Sequence, residues 1–168
     1  LLSPLVYLRC TPLTRADDRI REFAQRLYRH DEPEESLNQL MADLLLRMPY
    51  SPGATQVQDC AADAFARAKG VCQDHTHVFL ACCRALDIPA RYVSGYVAVV
   101  QGGRADVPDS AAHAWVEYYL DGFGWLPLEA TPGFARETSV LPEALLSGEG
   151  VPENGESNAA SRDTASSE

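Results

Sequence analysis

The spacing of apolar residues changes partway along the chain, and this change most constrains the fold. Apolar residues first recur at the spacing of amphipathic helices and later alternate as they do in strands. The predicted helices cover 17–30, 34–48, 59–67 and 72–86, and the predicted strands cover 91–100, 113–120 and 125–131. Helices followed by strands predict an α+β fold, with N-terminal helices packed on an antiparallel sheet.

Composition sets the limits of the folded domain. The chain has 168 residues, 46% of them hydrophobic, which is enough for one core. Residues 143–168 carry six acidic residues and one basic residue, with little to bury. We therefore predict that residues 141–168 form a disordered acidic tail. Residues 13–140 are predicted to be the folded domain, and residues 1–12 an N-terminal strand or linker fragment.

Charge and hydropathy narrow the range of partners. Lys and Arg number 14 against 24 Asp and Glu, for a net charge of −10. Nucleic-acid binding needs clustered cations, so we predict no nucleic-acid partner. No run approaches the roughly 20 apolar residues of a membrane-spanning helix, so we predict no membrane contact from this segment. The oligomeric state does not follow from the sequence.

Cysteine usage favours a reducing compartment. The five cysteines form no Cys-x-x-Cys pair, and their odd number argues against a disulfide framework. Residues 1–8 lack the features of a signal peptide. These observations predict reduced thiols and a cytoplasmic location.

Cys72 has the position of a nucleophile. Gly70 permits an abrupt entry into the predicted helix 72–86, so Cys72 lies in the first helical turn. Unpaired N–H groups and the positive end of the helix dipole favour a thiolate there. The rest of the helix is apolar, so only its N-terminus is expected to be accessible. The alternative is a small buried side chain, which is what most free cysteines are.

A hairpin predicts a base and an acid for this thiol. His113 begins a strand whose alternation directs His113 away from the apolar face, although a lone histidine there is commonly a surface residue. If residues 121–123 form the turn, paired positions sum to 244, and Glu129 lies diagonal to His113 at a Cβ separation of roughly 7 Å. A two-residue turn would place Glu129 on the opposite face. A catalytic triad of Cys72, His113 and Glu129 therefore requires an odd-length turn, or a bulge, in this hairpin.

Asp74, His75 and His77 raise the alternative of a metal site with Cys72. Their spacing on one helix spreads the side chains around the axis, and no second cluster completes four ligands. We therefore predict no metal ligands and no cofactor.

Four motifs carry a resemblance to a known family. They are Gly-Val-Cys-Gln-Asp at 70–74, Ala-Leu-Asp-Ile-Pro-Ala-Arg-Tyr-Val-Ser-Gly at 85–95, His-Ala-Trp-Val-Glu at 113–117 and Gly-Trp-Leu-Pro-Leu-Glu-Ala-Thr at 124–131. In this order they resemble the transglutaminase-like superfamily, its bacterial members most closely. The resemblance extends over residues 15–133.

The resemblance implies a papain-like (cysteine proteinase-like) fold, with residues 13–140 as the catalytic domain. It also implies Cys72 as nucleophile and His113 as base. The family usually has Asp in a Trp-x-x-x-Asp-Pro-Thr segment, whereas this chain has Glu129 followed by Ala130. Glutamate keeps the carboxylate on a longer side chain.

The remaining site residues are secondary candidates. The resemblance implies the Cys72 backbone N–H as one oxyanion donor, and Gln73 and Tyr50 are candidates for the second. Trp115 is a candidate wall of the substrate cleft. The Gly-rich segment 101–110 is predicted to be a loop that bears on specificity.

These residues predict an enzyme that cleaves amide or peptide bonds of a protein or peptide substrate through a Cys72 thioester. Hydrolysis is preferred, because nothing in the sequence identifies a site for an acceptor amine. Protein-glutamine transamidation is the second hypothesis. The third hypothesis is a non-catalytic peptide-binding module of the same fold.

Overall fold

Helices precede strands along the chain, as the apolar spacing predicts. The computed structural model describes residues 2–96, 99–101, 104–106 and 112–130, all within one compact unit, Leu1–Ala135. The α-helices of this part are α1 (Asp18–Leu27), α2 (Pro33–Arg47), α3 (Ala61–Arg67) and α4 (Cys72–Ala85). The strands are β1 (Ala90–Tyr96), β2 (Val99–Gln101), β3 (Arg104–Asp106), β4 (Ala112–Leu120) and β5 (Gly124–Leu128). The predicted α+β class is confirmed, and the predicted tail, 141–168, lies outside the described residues.

The strands form an antiparallel sheet of order β1-β4-β5 and a separate β2–β3 hairpin. The predicted strand 91–100 is therefore two strands, because β1 pairs with β4 whereas β2 pairs only with β3. The predicted loop 101–110 contains β3. Its residues 102–103 and 107–110 lie outside the described part.

The core surrounds α4, which packs against the sheet on one side and against the other helices on the other. Alternate residues of β4, from Ala114 to Leu120, are buried, as the period of two requires. Helix α4 is buried continuously from Asp74 to Cys83. Its first two residues and its last two approach the surface, and this geometry places Cys72 at the edge of the core.

The N-terminal segment is attached to this core. Residues Pro4–Leu8, within the predicted strand or linker fragment, form a 3-10 helix. The Tyr7 ring packs edge-on against Trp125 at 5.1 Å, and Arg84 of α4 donates a hydrogen bond to the Tyr7 carbonyl at 3.2 Å. Across the described residues, none of the helices combines the length and apolar character that crossing a bilayer requires.

Candidate active site

The first turn of α4 is held by a buried carboxylate. Asp74 is 1% exposed, and its Oδ2 accepts hydrogen bonds from the Val71 N–H at 2.8 Å and the Thr55 hydroxyl at 2.6 Å. A Cβ at Gly70 would lie 2.7 Å from the Asp74 Cβ, so only glycine fits there. Cys72, the first residue of α4, remains partly exposed above this cap.

The neighbouring histidines, His75 and His77, are buried in the core. His75 Nε2 donates to the Met48 carbonyl at 2.7 Å, and burial lowers the pKa of both His75 and His77. These rings are therefore neutral parts of the core at pH 7. Among the described residues, no group of three or more ligating side chains could hold a metal ion.

The β4–β5 hairpin has the three-residue turn that the triad requires. Leu120 pairs with Gly124 and Val116 with Leu128, so paired positions sum to 244 and this prediction is confirmed. Glu129 follows the end of β5, and its Oε1 lies 2.7 Å from His113 Nε2. The same oxygen accepts the Ala130 N–H at 2.8 Å. The longer glutamate thus reaches the imidazole from just beyond the strand.

Cys72 and His113 line one cleft of about 270 Å³. The His113 side chain is only 8% exposed, so its ring is shielded from solvent, whereas Cys72 is partly exposed. The other lining residues come from the first turn of α4 and the facing ends of β1 and β4: Gln73, Tyr92, Ser94, Gly95, Ala112 and Ala114.

The remaining candidate site residues, Gln73, Tyr50 and Trp115, lie at different positions relative to the cleft. Gln73 lines the cleft, but its amide donates to the Val57 carbonyl at 3.2 Å. Tyr50 forms a backbone bridge with Gly70 and is not among the described cleft-lining residues. Trp115 stacks on His113, with ring centroids 6.2 Å apart and planes 24° apart. It therefore supports the histidine ring from behind.

Tyr92 is a cleft residue that the sequence analysis did not single out as a site residue. It pairs with Val116, so both side chains project to the α4 side of the sheet. The pairing of β1 with β4 is what brings Tyr92 to the cleft. The sequence does not specify this register, because residues between the two strands form their own hairpin.

Gly95 offers a test of how Trp115 positions His113. A Cβ at Gly95 would lie 2.9 Å from the Trp115 ring, so Gly95→Ala should displace the indole that stacks on His113. We expect a reaction that depends on His113 to slow by roughly 10-fold or more, because small displacements of reacting groups are costly. In a Trp115→Leu background the same substitution should add little. An equal loss in both backgrounds would show that the contact with Trp115 is not the cause.

Comparison with known proteins identifies the class. Residues 21–130 match the family model described as the transglutaminase-like superfamily, and the chain belongs to this superfamily. A "Putative Cysteine Protease" from Cytophaga hutchinsonii superposes with a TM-score of 0.61 at 28% identity, covering 79% of this chain and 43% of that one. The periplasmic domain of TgpA from Pseudomonas aeruginosa gives 0.60 at 28% identity, covering 76% and 48%. The predicted papain-like α+β architecture is thereby supported by both solved structures.

Curated relatives match most of this chain. An uncharacterized protein of Mycobacterium leprae is 31% identical over 121 residues, covering 69% of this chain and 42% of that protein. A protein-glutamine gamma-glutamyltransferase of Pseudomonas aeruginosa is 33% identical over 134 residues, covering 71% and 19%. The chain thus spans less than half the length of each of these relatives.

Proposed function

We propose that the protein is a cysteine-dependent acyl-transfer enzyme that cleaves amide or peptide bonds. Cys72 is the nucleophile, His113 the general base and acid, and Glu129 the group that orients the imidazole. The observation that carries the proposal is one juxtaposition: His113 shares a cleft with Cys72 while its Nε2 lies 2.7 Å from the Glu129 carboxylate.

Acylation uses the ring nitrogen that Glu129 does not engage. Since Nε2 contacts Glu129, Nδ1 takes the proton of the Cys72 thiol. The sulfur attacks the carbonyl carbon, a C–S bond forms, and the carbonyl π pair moves onto oxygen. When this oxyanion collapses, the C–N bond breaks and Nδ1 returns its proton to the leaving amine. The product is a Cys72 thioester.

Deacylation repeats the chemistry with a second nucleophile. In hydrolysis, water attacks the thioester carbonyl while His113 takes one of its protons. The C–S bond then breaks, the thiol recovers a proton, and a carboxylic acid leaves. In transamidation, a primary amine takes the place of water. Glu129 holds the ring in the tautomer that accepts at Nδ1 during both steps.

Water is the preferred acceptor of the acyl group from the Cys72 thioester. Among the described residues that line the cleft, no carboxylate stands beside Cys72 to hold an alkylammonium group. Transamidation is the second candidate, because a gamma-glutamyltransferase is 33% identical to this chain over 134 residues. The chemistry needs only these side chains, so we propose no cofactor, and the substrate class is a protein or peptide.

A peptide mixture separates these activities. The chain is incubated with peptides whose amines are blocked, with and without a labelled primary amine, and products are analysed by mass spectrometry. We expect new peptide amines or glutamine deamidation from hydrolysis, whereas label on glutamine would assign transamidation. The Cys72→Ala variant is the background control. Products no more abundant than this background would leave the non-catalytic binding module as the better account.

A further inference from the structure

The proposed acylation leaves one requirement unmet. Negative charge develops on the carbonyl oxygen, and cysteine acyl-transfer sites stabilise it with two preorganised donors. The Cys72 backbone N–H, at the start of α4, supplies one of them. The second must come from the cleft walls, and the inference below rests on the proposed function.

Few side chains can supply it. Apart from Cys72 and His113, the described residues that line the cleft include three with side-chain donors: Gln73, Tyr92 and Ser94. The Gln73 amide already donates to the Val57 carbonyl. Within the described part of the chain, no carbonyl or side chain accepts a hydrogen bond from the Tyr92 hydroxyl.

The register of β1 directs Tyr92 toward the nucleophile's helix. Tyr92 pairs with Val116, which is fully buried against α4, so the two side chains share that face of the sheet. The Tyr92 ring lies 5.5 Å from the ring of His77, which is five residues after Cys72 on α4. This packing fixes the ring, while 39% exposure leaves the residue open to the cleft.

The electrostatic setting keeps the phenol protonated. Burial raises the pKa of Tyr92, and Cys72 and Asp74 add to this rise when they carry negative charge. A phenol in this setting donates a hydrogen bond and does not lose its proton.

We propose that the Tyr92 hydroxyl donates the second hydrogen bond to the oxyanion formed on Cys72. Tyrosine carries its hydroxyl a ring's length further from the strand than Ser94 does, which suits a substrate seated above the thiol. The hydrogen bond strengthens as charge develops on the oxygen, so its contribution belongs to the transition state.

Two probes of the same sulfur test this assignment. p-Nitrophenyl acetate acylates a thiol through an oxyanion, whereas iodoacetamide alkylates it by displacement at carbon without one. We compare both rates at Cys72 in the wild type and Tyr92→Phe, which removes only the hydroxyl and keeps the ring against His77. Acylation should slow by on the order of 10²-fold, as loss of one oxyanion donor does elsewhere, and alkylation should be unchanged. Tyr119→Phe, on the other face of the sheet, is the matched control and should retain both rates.

The two rates together show whether Tyr92 is the oxyanion donor. Selective loss of acylation supports it. Equal acylation in wild type and Tyr92→Phe overturns it while leaving acyl transfer intact, and a loss confined to Ser94→Ala assigns the donor to Ser94 instead. If wild-type Cys72 is alkylated but never acylated, the proposed function itself fails, and the role of Tyr92 fails with it.

Discussion

Replacing Cys72 with Ala is expected to lower amide cleavage by on the order of 10⁴-fold or more, because loss of a nucleophile removes the covalent route altogether. The side chain is partly exposed and outside the continuous core, so the fold should survive the change. The measurement is kcat on a peptide identified from the mixture, together with a thermal unfolding curve.

Cys10 provides the matched control. It is an exposed free thiol that does not line the cleft, so Cys10→Ala should retain full activity. Unchanged cleavage by Cys72→Ala, with normal unfolding, would remove Cys72 from the chemistry.

Glu129→Gln should have the second-largest effect. The substitution keeps the size of the side chain but removes the charge that lies 2.7 Å from His113 Nε2. The imidazolium that forms when Cys72 is deprotonated then loses its counter-charge, and the Gln amide can hold the wrong tautomer. We expect kcat to fall by roughly 10²- to 10⁴-fold with little change in KM, by comparison with triad acids elsewhere.

Two further variants test whether the charge of Glu129 is the cause of this loss of activity. Glu129→Asp restores a carboxylate one methylene shorter and should recover activity to within about 10-fold of wild type if charge is the requirement. Glu117 lies on the same strand as His113, and its carboxylate pairs with Arg91 of β1. Glu117→Gln removes this carboxylate and should leave kcat unchanged. Equal activity of Glu129→Gln and the wild type would mean that the His113–Glu129 contact is structural.

The sequence predicted the site's framework because local rules determine it. The three-residue turn at 121–123 and strict alternation in β4 fix which residues share a face with Glu129, so the register could be calculated. Helical spacing after Gly70 likewise placed Cys72 at the start of α4.

The features that sequence reasoning missed depend on contacts between distant segments. Asp74, first weighed as a metal ligand, caps α4 through Val71 and accepts from Thr55, 19 residues earlier. Tyr92 reaches the cleft through pairing of β1 with β4, and no local pattern encodes that register. The cytoplasmic location and the bounds of the domain stay predictions.

The most direct measurement is the alkylation rate of each cysteine, followed by peptide mapping after brief exposure to iodoacetamide. Cys10 is more exposed than Cys72, and burial raises the pKa of the Cys82 and Cys83 thiols. The triad predicts that Cys72 nevertheless reacts about 10-fold or more faster than Cys10, because His113 acts as the base for its thiol, and that His113→Ala abolishes this advantage. Labelling rates that follow exposure alone, and that do not change when His113 is replaced, would contradict a catalytic thiol at this site.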